Sequence, residues 1–227
     1  MKTIIQTPTP DLKKSRDFYK RLGYKELSAE NPTLFTDGKF IVEINPDRFT
    51  RPGLKIFTDD AKSIAEKLGE LTVVIETETG FFTSDPNGIR VVLDLRPFDF
   101  ESGDESFGIT GGFAGVSLET TVIPQTVEFW EALGFEKGMG DISEGWAVYS
   151  NGGDIDVSIM AANTCPHLFF NPGLTFFNSG KNVENIAKLR DAEIPITEEI
   201  THFNEEGIVD NVIINDPAGL GFFIFND

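Results

Sequence analysis

The chain has 227 residues, with 19 Lys+Arg against 37 Asp+Glu and a formal net charge of −18. At about 150 residues per domain this predicts one large domain or two small ones, either long enough to bury a core. So acidic a chain repels phosphate backbones and anionic lipid, which sets aside nucleic-acid and membrane partners. Residues 1–97 hold 15 basic and 15 acidic side chains, so the whole excess of negative charge lies beyond Pro97. That split predicts two units with different surfaces. No apolar run is long enough for a signal peptide or a membrane span. Cys165 is the only cysteine, which excludes an internal disulfide and a Cys-based zinc site. The cytoplasm is the expected compartment.

In chain order, a short strand at 3–7 is followed by DLKKSRDFYKRLG, a helix capped by Asp11 and stopped by Gly23. Leu12, Phe18, Tyr19 and Leu22 recur there at helical spacing. Three strands follow at 24–27, 32–36 and 40–45, with Asp37-Gly38 as a hairpin signal. A second unit opens with the strand GLKIFT and continues through the helix DDAKSIAEKLG. It closes with strands at 73–76, 80–83 and 89–95, the last two joined by the turn SDPNG. Each unit therefore reads β-α-β-β-β. FDFESGDESFGITGG then reads as an exposed connector.

Beyond the connector the script restarts. GVSLETT is a strand, QTVEFWEALG a helix echoing SRDFYKRLG, and WAVYSNGGDIDVSIM a hairpin echoing TLFTDGKFIVEI. The fourth unit runs from GLTFF through the helix KNVENIAKLRDAEIP to NDPAGLGFFIF, which echoes SDPNGIRVVLDL. The chain is read as a tandem duplication of a two-module domain. The expected units are 1–98 (modules 1–50 and 51–98), a connector at 99–112, and 113–227 (modules 113–163 and 171–227).

The segments PDLKKSRDFYKRLGY, FTDDAKSIAEKLG and SDPNGIRVVLDL, with TVEFWEALGFE and NDPAGLGFFIF, resemble the vicinal-oxygen-chelate superfamily of glyoxalases, extradiol dioxygenases and bleomycin-resistance proteins. The resemblance implies an α+β fold: four βαβββ modules paired into two tandem glyoxalase-like domains, each a curled mixed sheet around a cavity. Enzymatic members hold a divalent metal there on a His or Gln of a first strand and a Glu of a last strand. The matching positions are Ile4, Gly53 and Val92 in the first half and Gly115, Gly173 and Phe223 in the second. None carries a metal-binding side chain, so the expectation is no metal and no cofactor. Gln6, on the same face as Ile4, and Glu43, otherwise an exposed strand residue, form the fallback pair.

Cys165 and His167 lie too close together in an irregular Pro-flanked stretch to form an oriented nucleophilic pair; Cys165 is expected to be a small, partly buried thiol, His167 a loop contact and His202 solvent-facing. Asp154 and Asp156 alternate on one strand face. Aromatic residues are concentrated in the second half. The favoured function is metal-free binding of a small molecule, cationic or aromatic, through Trp146, Phe176 and Phe223 with Glu119 or Asp156 as countercharge. The alternatives are a metal-dependent glyoxalase- or dioxygenase-like lyase or oxygenase, and a non-catalytic interaction module. Solubility or a salty cytoplasm would account for the acidity equally well. The expected assembly is a monomer with an internal pseudo-dimer, or a homodimer.

Overall fold

The computed structural model describes residues 1–30, 32–153 and 155–227. Each half is a mixed eight-stranded sheet, and the two sheets have the same strand order. In the first half β1 (Lys2–Pro8), β2 (Lys25–Ser28), β3 (Thr33–Thr36) and β4 (Ile41–Asn45) form one module with helix α1 (Leu12–Arg21). β5 (Gly53–Phe57), β6 (Ile75–Thr77), β7 (Gly80–Ser84) and β8 (Arg90–Asp94) form the next, with α2 (Ala61–Leu68). The order β2-β3-β4-β1-β5-β8-β7-β6 joins the modules through the antiparallel pair β1–β5.

The second half repeats this with β9 (Gly112–Thr120), β10 (Glu136–Asp141), β11 (Trp146–Ser150) and β12 (Val157–Ala161), then β13 (Gly173–Phe177), β14 (Ile196–Ile200), β15 (Asn211–Asn215) and β16 (Gly221–Phe225). Its helices are α3 (Ile123–Ala132) and α4 (Asn182–Asp191), and β9–β13 is its junction. α3 begins two residues before the expected QTVEFWEALG, because Pro124 fits the first helical turn, where its missing N–H is not needed.

The helices bury the faces that the apolar spacing marks. Phe18 and Tyr19 of α1, Ala61, Ile64, Ala65 and Leu68 of α2, and Phe129 and Trp130 of α3 are all buried. They belong to one apolar core that draws on both sheets. The ring of Tyr19 stacks on Phe35 of β3, with centroids 5.7 Å apart, and lies 6.3 Å from Phe222 of β16. Phe40 of the first half packs on Phe113 of the second at 4.2 Å. The helix side of each sheet thus faces the other half, and the concave faces are left outside this core.

The two DP-x-G turns latch this arrangement reciprocally. In each, the glycine (Gly88, φ +86°; Gly219, φ +94°) takes the left-handed conformation that closes the turn. Asp85 accepts the Asn87 and Ile89 amides at 2.8 Å, and the Asn87 side chain reaches Thr126 of α3 at 3.2 Å. Asp216 accepts the Ala218 and Leu220 amides at 2.8 and 2.9 Å. Its other oxygen accepts Thr7 Oγ1 of β1 at 2.8 Å and the Tyr19 hydroxyl of α1 at 3.1 Å. Burial raises the Asp216 carboxyl above its usual range, against the lowering effect of Thr7 and the turn amides.

Asp216→Ala strands the Tyr19 hydroxyl and two turn amides, so it should lower unfolding free energy by about 2–4 kcal/mol. Denaturant unfolding would show this as a lower midpoint at unchanged slope. The raised folded-state value also fixes the sign of a pH effect. The folded chain holds this proton more tightly than the unfolded one, whose Asp titrates near ~4. The wild type should therefore gain stability relative to Asp216→Asn as pH falls from ~7 toward ~4, measured as the difference between their unfolding midpoints.

Candidate functional site

The two concave faces have diverged. In the first half Ile4, Leu34, Ile41 and Phe57 make a small apolar cluster there, and Leu27, Phe98 and Phe100 pack onto it. Phe98 stacks on Phe57 at 4.4 Å, so the chain leaving β8 folds back across its own sheet. The connector is then fixed at the Asp37-Gly38 hairpin, where Asp37 O accepts the Phe107 amide at 2.7 Å. The start of the presumed exposed connector is in fact a cover.

The same face carries a buried ionic group. Gln6 and Glu43 are direct partners in the parallel pair β1–β4. Glu43 is 2% exposed, which corrects its reading as an exposed strand position. Its oxygens are already engaged: Asn45 Nδ2 donates to one at 3.0 Å and Lys55 Nζ to the other at 3.0 Å. Lys55 also pairs with Asp94 at 3.5 Å, and Arg96 with Asp94 at 2.6 Å. Burial alone would raise the Asp94 carboxyl; Arg96, its own amide and Lys55 outweigh it and hold the group below the usual carboxylate range. Gln6 Nε2 donates to Arg51 O at 2.9 Å.

The concave face of the second half holds an open cavity of about 510 Å³. Alternation along the strands builds it: Gly115 and Ser117 from β9, Ser158 and Met160 from β12, Thr175 and Phe177 from β13, Phe223 and Phe225 from β16. Trp146 and Met139 stand on its far wall. The floor depends on Gly173: a Cβ there would lie 2.3 Å from the Phe223 ring, so only glycine lets that ring lie flat over the junction strand. Ser117 and Thr175 share a buried hydrogen bond of 2.7 Å across β9–β13.

One wall is the segment 163–172 between β12 and β13. Glu119 pins it by accepting the Asn163 and Cys165 amides, each at 3.1 Å, and Glu198 accepts the Leu168 amide at 2.8 Å. The pinned segment presents Cys165, His167 and Phe169 to the cavity. The His167 ring sits 5.7 Å from Phe223 and 5.2 Å from Phe225, and Phe169 lies 4.8 Å from Phe223. Burial, then the Glu119 carboxylate, push the Cys165 thiol up to about 11, so it stays protonated and is no nucleophile.

Of the expected ligand-binding residues, Trp146, Phe223 and Asp156 line this cavity. Glu119 does not; it anchors the wall. Phe176 is a correction: it is fully buried in the shared core on the helix side. In the pair β13–β16 Phe223 is the partner of Thr175 and Phe176 that of Ile224, so Phe176 and Phe223 face opposite ways. Asp154, the other half of the alternating acid pair, lies outside the described residues. His202 is exposed, against Phe203. Met139, Met160, Cys165, His167 and Phe169 were missed as cavity residues; only the local density of aromatics hinted at the last.

Neither concave face suits a catalytic divalent metal. In the second, the matching positions present two glycines and a phenylalanine ring. In the first, the carboxylates are taken by Lys55 and Arg96. Among the described residues no group of three or more His, Cys, Asp or Glu is placed to hold a metal.

No family model matches the sequence, and no curated protein does. Solved structures do match its fold. A variant of 4-hydroxymandelate synthase from Streptomyces coelicolor superposes with TM-score 0.62 at 15% identity, covering 97% of this chain and 90% of that one. Homoprotocatechuate 2,3-dioxygenase from Arthrobacter globiformis gives 0.61 at 16% identity, covering 99% and 78%. BphC, a halotolerant catechol dioxygenase, gives 0.57 at 13%, covering 99% and 85%. The chain has the tandem two-domain vicinal-oxygen-chelate fold, as its repeats lead one to expect. No helix of the described residues is long and apolar enough to cross a membrane.

The half-buried, protonated thiol carries its own expectation. Iodoacetamide at pH ~8 should modify Cys165 at least roughly a hundredfold more slowly than free cysteine, followed by mass spectrometry. A rate equal to that of free cysteine would contradict the placement of this side chain.

Proposed function

From a tandem vicinal-oxygen-chelate fold with one closed and one open concave face, we propose that the chain binds an aromatic small molecule in the open cavity of its second half, without a metal. The observation that carries this reading is the cavity itself: about 510 Å³, walled by Trp146, Phe169, Phe177, Phe223 and Phe225. That volume lies within the range of small-molecule sites. Asp156 is the one carboxylate among the described lining residues, and among those residues no ion pair or hydrogen bond engages its side chain. A positively charged group on the ligand would be placed beside it. Ser158 and the Ser117–Thr175 pair supply hydroxyls for a polar substituent.

A second reading is a dioxygenase-like enzyme, and the fold neighbours favour it: two of those reported above are named as dioxygenases of catechol or homoprotocatechuate, and the third as a synthase of 4-hydroxymandelate. At the level of fold they back this alternative more than metal-free binding. The donor set is what tells against it, since Ile4, Gly53, Val92, Gly115, Gly173 and Phe223 at the matching positions have no metal-donating side chain. Both readings share an aromatic compound as the occupant.

Titration calorimetry with catechol, phenethylamine and 2-phenylethanol, beside elemental analysis of the purified chain, separates them. The expected result is binding with no stoichiometric metal, weakened about tenfold or more in Trp146→Ala. One tightly held divalent ion per chain, with consumption of oxygen on catechol, would overturn the metal-free reading in favour of the enzyme. No binding of any of the three would overturn both.

A further inference from the structure

We propose that Lys55 is a resident cation that closes a latent divalent-metal site on the concave face of the first half. The inference concerns the sheet that does not hold the proposed ligand cavity, and it stands apart from that reading. Lys55 lies on β5 at the junction, directly between Ile4 of β1 and Val92 of β8 in the cross-strand register. Its side chain is 9% exposed, and its ammonium lies 3.0 Å from Glu43 and 3.5 Å from Asp94, carboxylates that are themselves 2% and 1% exposed. Glu43 of β4 and Asp94 of β8 therefore converge on one buried positive charge from β5, with β1 lying between β4 and β5. Gln6, the partner of Glu43 in the β1–β4 register, spends its amide nitrogen on Arg51 O. Its carbonyl oxygen accepts no hydrogen bond among the described residues.

Two carboxylates and an amide oxygen are a hard-oxygen donor set of the kind that suits Mn²⁺ or Mg²⁺. The two carboxylates are gathered round a cation, because two buried carboxylates cannot both stay ionised without a positive partner. Here that partner is covalently part of the chain. Arg96 reinforces it by holding Asp94 from the solvent side, where the guanidinium is 57% exposed. The first half thus keeps the charge balance of a metal centre while the ammonium occupies the metal's place. No open coordination position remains for a substrate.

The test removes the ammonium and supplies a metal. After EDTA treatment, wild type, Lys55→Met and the charge-free variant Glu43→Gln/Lys55→Met/Asp94→Asn are heated with and without ~1 mM MnCl₂, and free Mn²⁺ is followed by electron paramagnetic resonance. Wild type and the triple variant should show no Mn²⁺-dependent melting shift. Lys55→Met should melt lower than wild type, regain about 5 °C or more with Mn²⁺, and take up one ion per chain. Recovery of folded Lys55→Met only in the presence of Mn²⁺ would also bear the proposal out. It is overturned if Lys55→Met folds yet neither shifts nor takes up Mn²⁺, or if wild type binds the ion equally well. It is equally overturned if Lys55→Met fails to fold with or without Mn²⁺ while the triple variant folds.

Discussion

The structure depends on one constraint: each sheet must bury the face that carries its helices, and it does so against the same face of the other half. Phe18 and Tyr19 on α1 and Phe129 and Trp130 on α3 sit in one core with residues of both sheets. Burying aromatic rings on this scale is the dominant favourable contribution available to the chain. The DP-x-G turns then set how the halves meet, since Asp85 and Asp216 organise their own turns and reach, through Asn87 or directly, a helix of the opposite half. Because the helix sides are consumed by this packing, both concave faces are left free to specialise.

That specialisation is where the sequence was least legible. The repeats carried the element order, because apolar spacing and turn residues are local signals that survive duplication. The core faces of α1, α2 and α3 followed from the same periodicity. Which of two consecutive phenylalanines faces a cavity is a different kind of question. On β13 and β16 the parity is fixed by pairing Thr175 with Phe223, and β9 shifts register opposite Thr175 and Phe176. A single-residue shift exchanges the two faces, and no local pattern in GLTFF reports it. The segment 163–172 was opaque for a related reason: it has no period, and its placement rests on side-chain acceptors, Glu119 and Glu198, that come from distant strands.

The two halves fail to offer a metal site for two different reasons. In the second, small and apolar residues stand at the matching positions, and Gly173 gives its space to the Phe223 ring; the result is room and an aromatic lining. In the first, acidic groups remain but are neutralised from within by Lys55 and Arg96, and Phe98 and Phe100 cover part of what is left. The first solution keeps polar groups buried at a desolvation cost that only close pairing offsets. The second removes the polar groups and leaves an apolar hollow. Only the second leaves the open apolar surface that the proposed binding requires.

This bears on the meaning of the acidic second half. The acid surplus lies beyond Pro97, yet within the open cavity Asp156 is the one carboxylate among the described lining residues. Glu119 and Glu198, which hold its wall, accept the amides of segment 163–172. The negative charge is therefore carried mainly on the outer surface, where it raises solubility and attracts cations over roughly a Debye length rather than by contact. In the proposed site, selection would fall instead to the rings and to Asp156, whose carboxylate has no ion pair among the described residues. The two effects are separable by salt: long-range attraction fades as ionic strength rises, whereas contact with Asp156 inside a largely apolar cavity is screened much less.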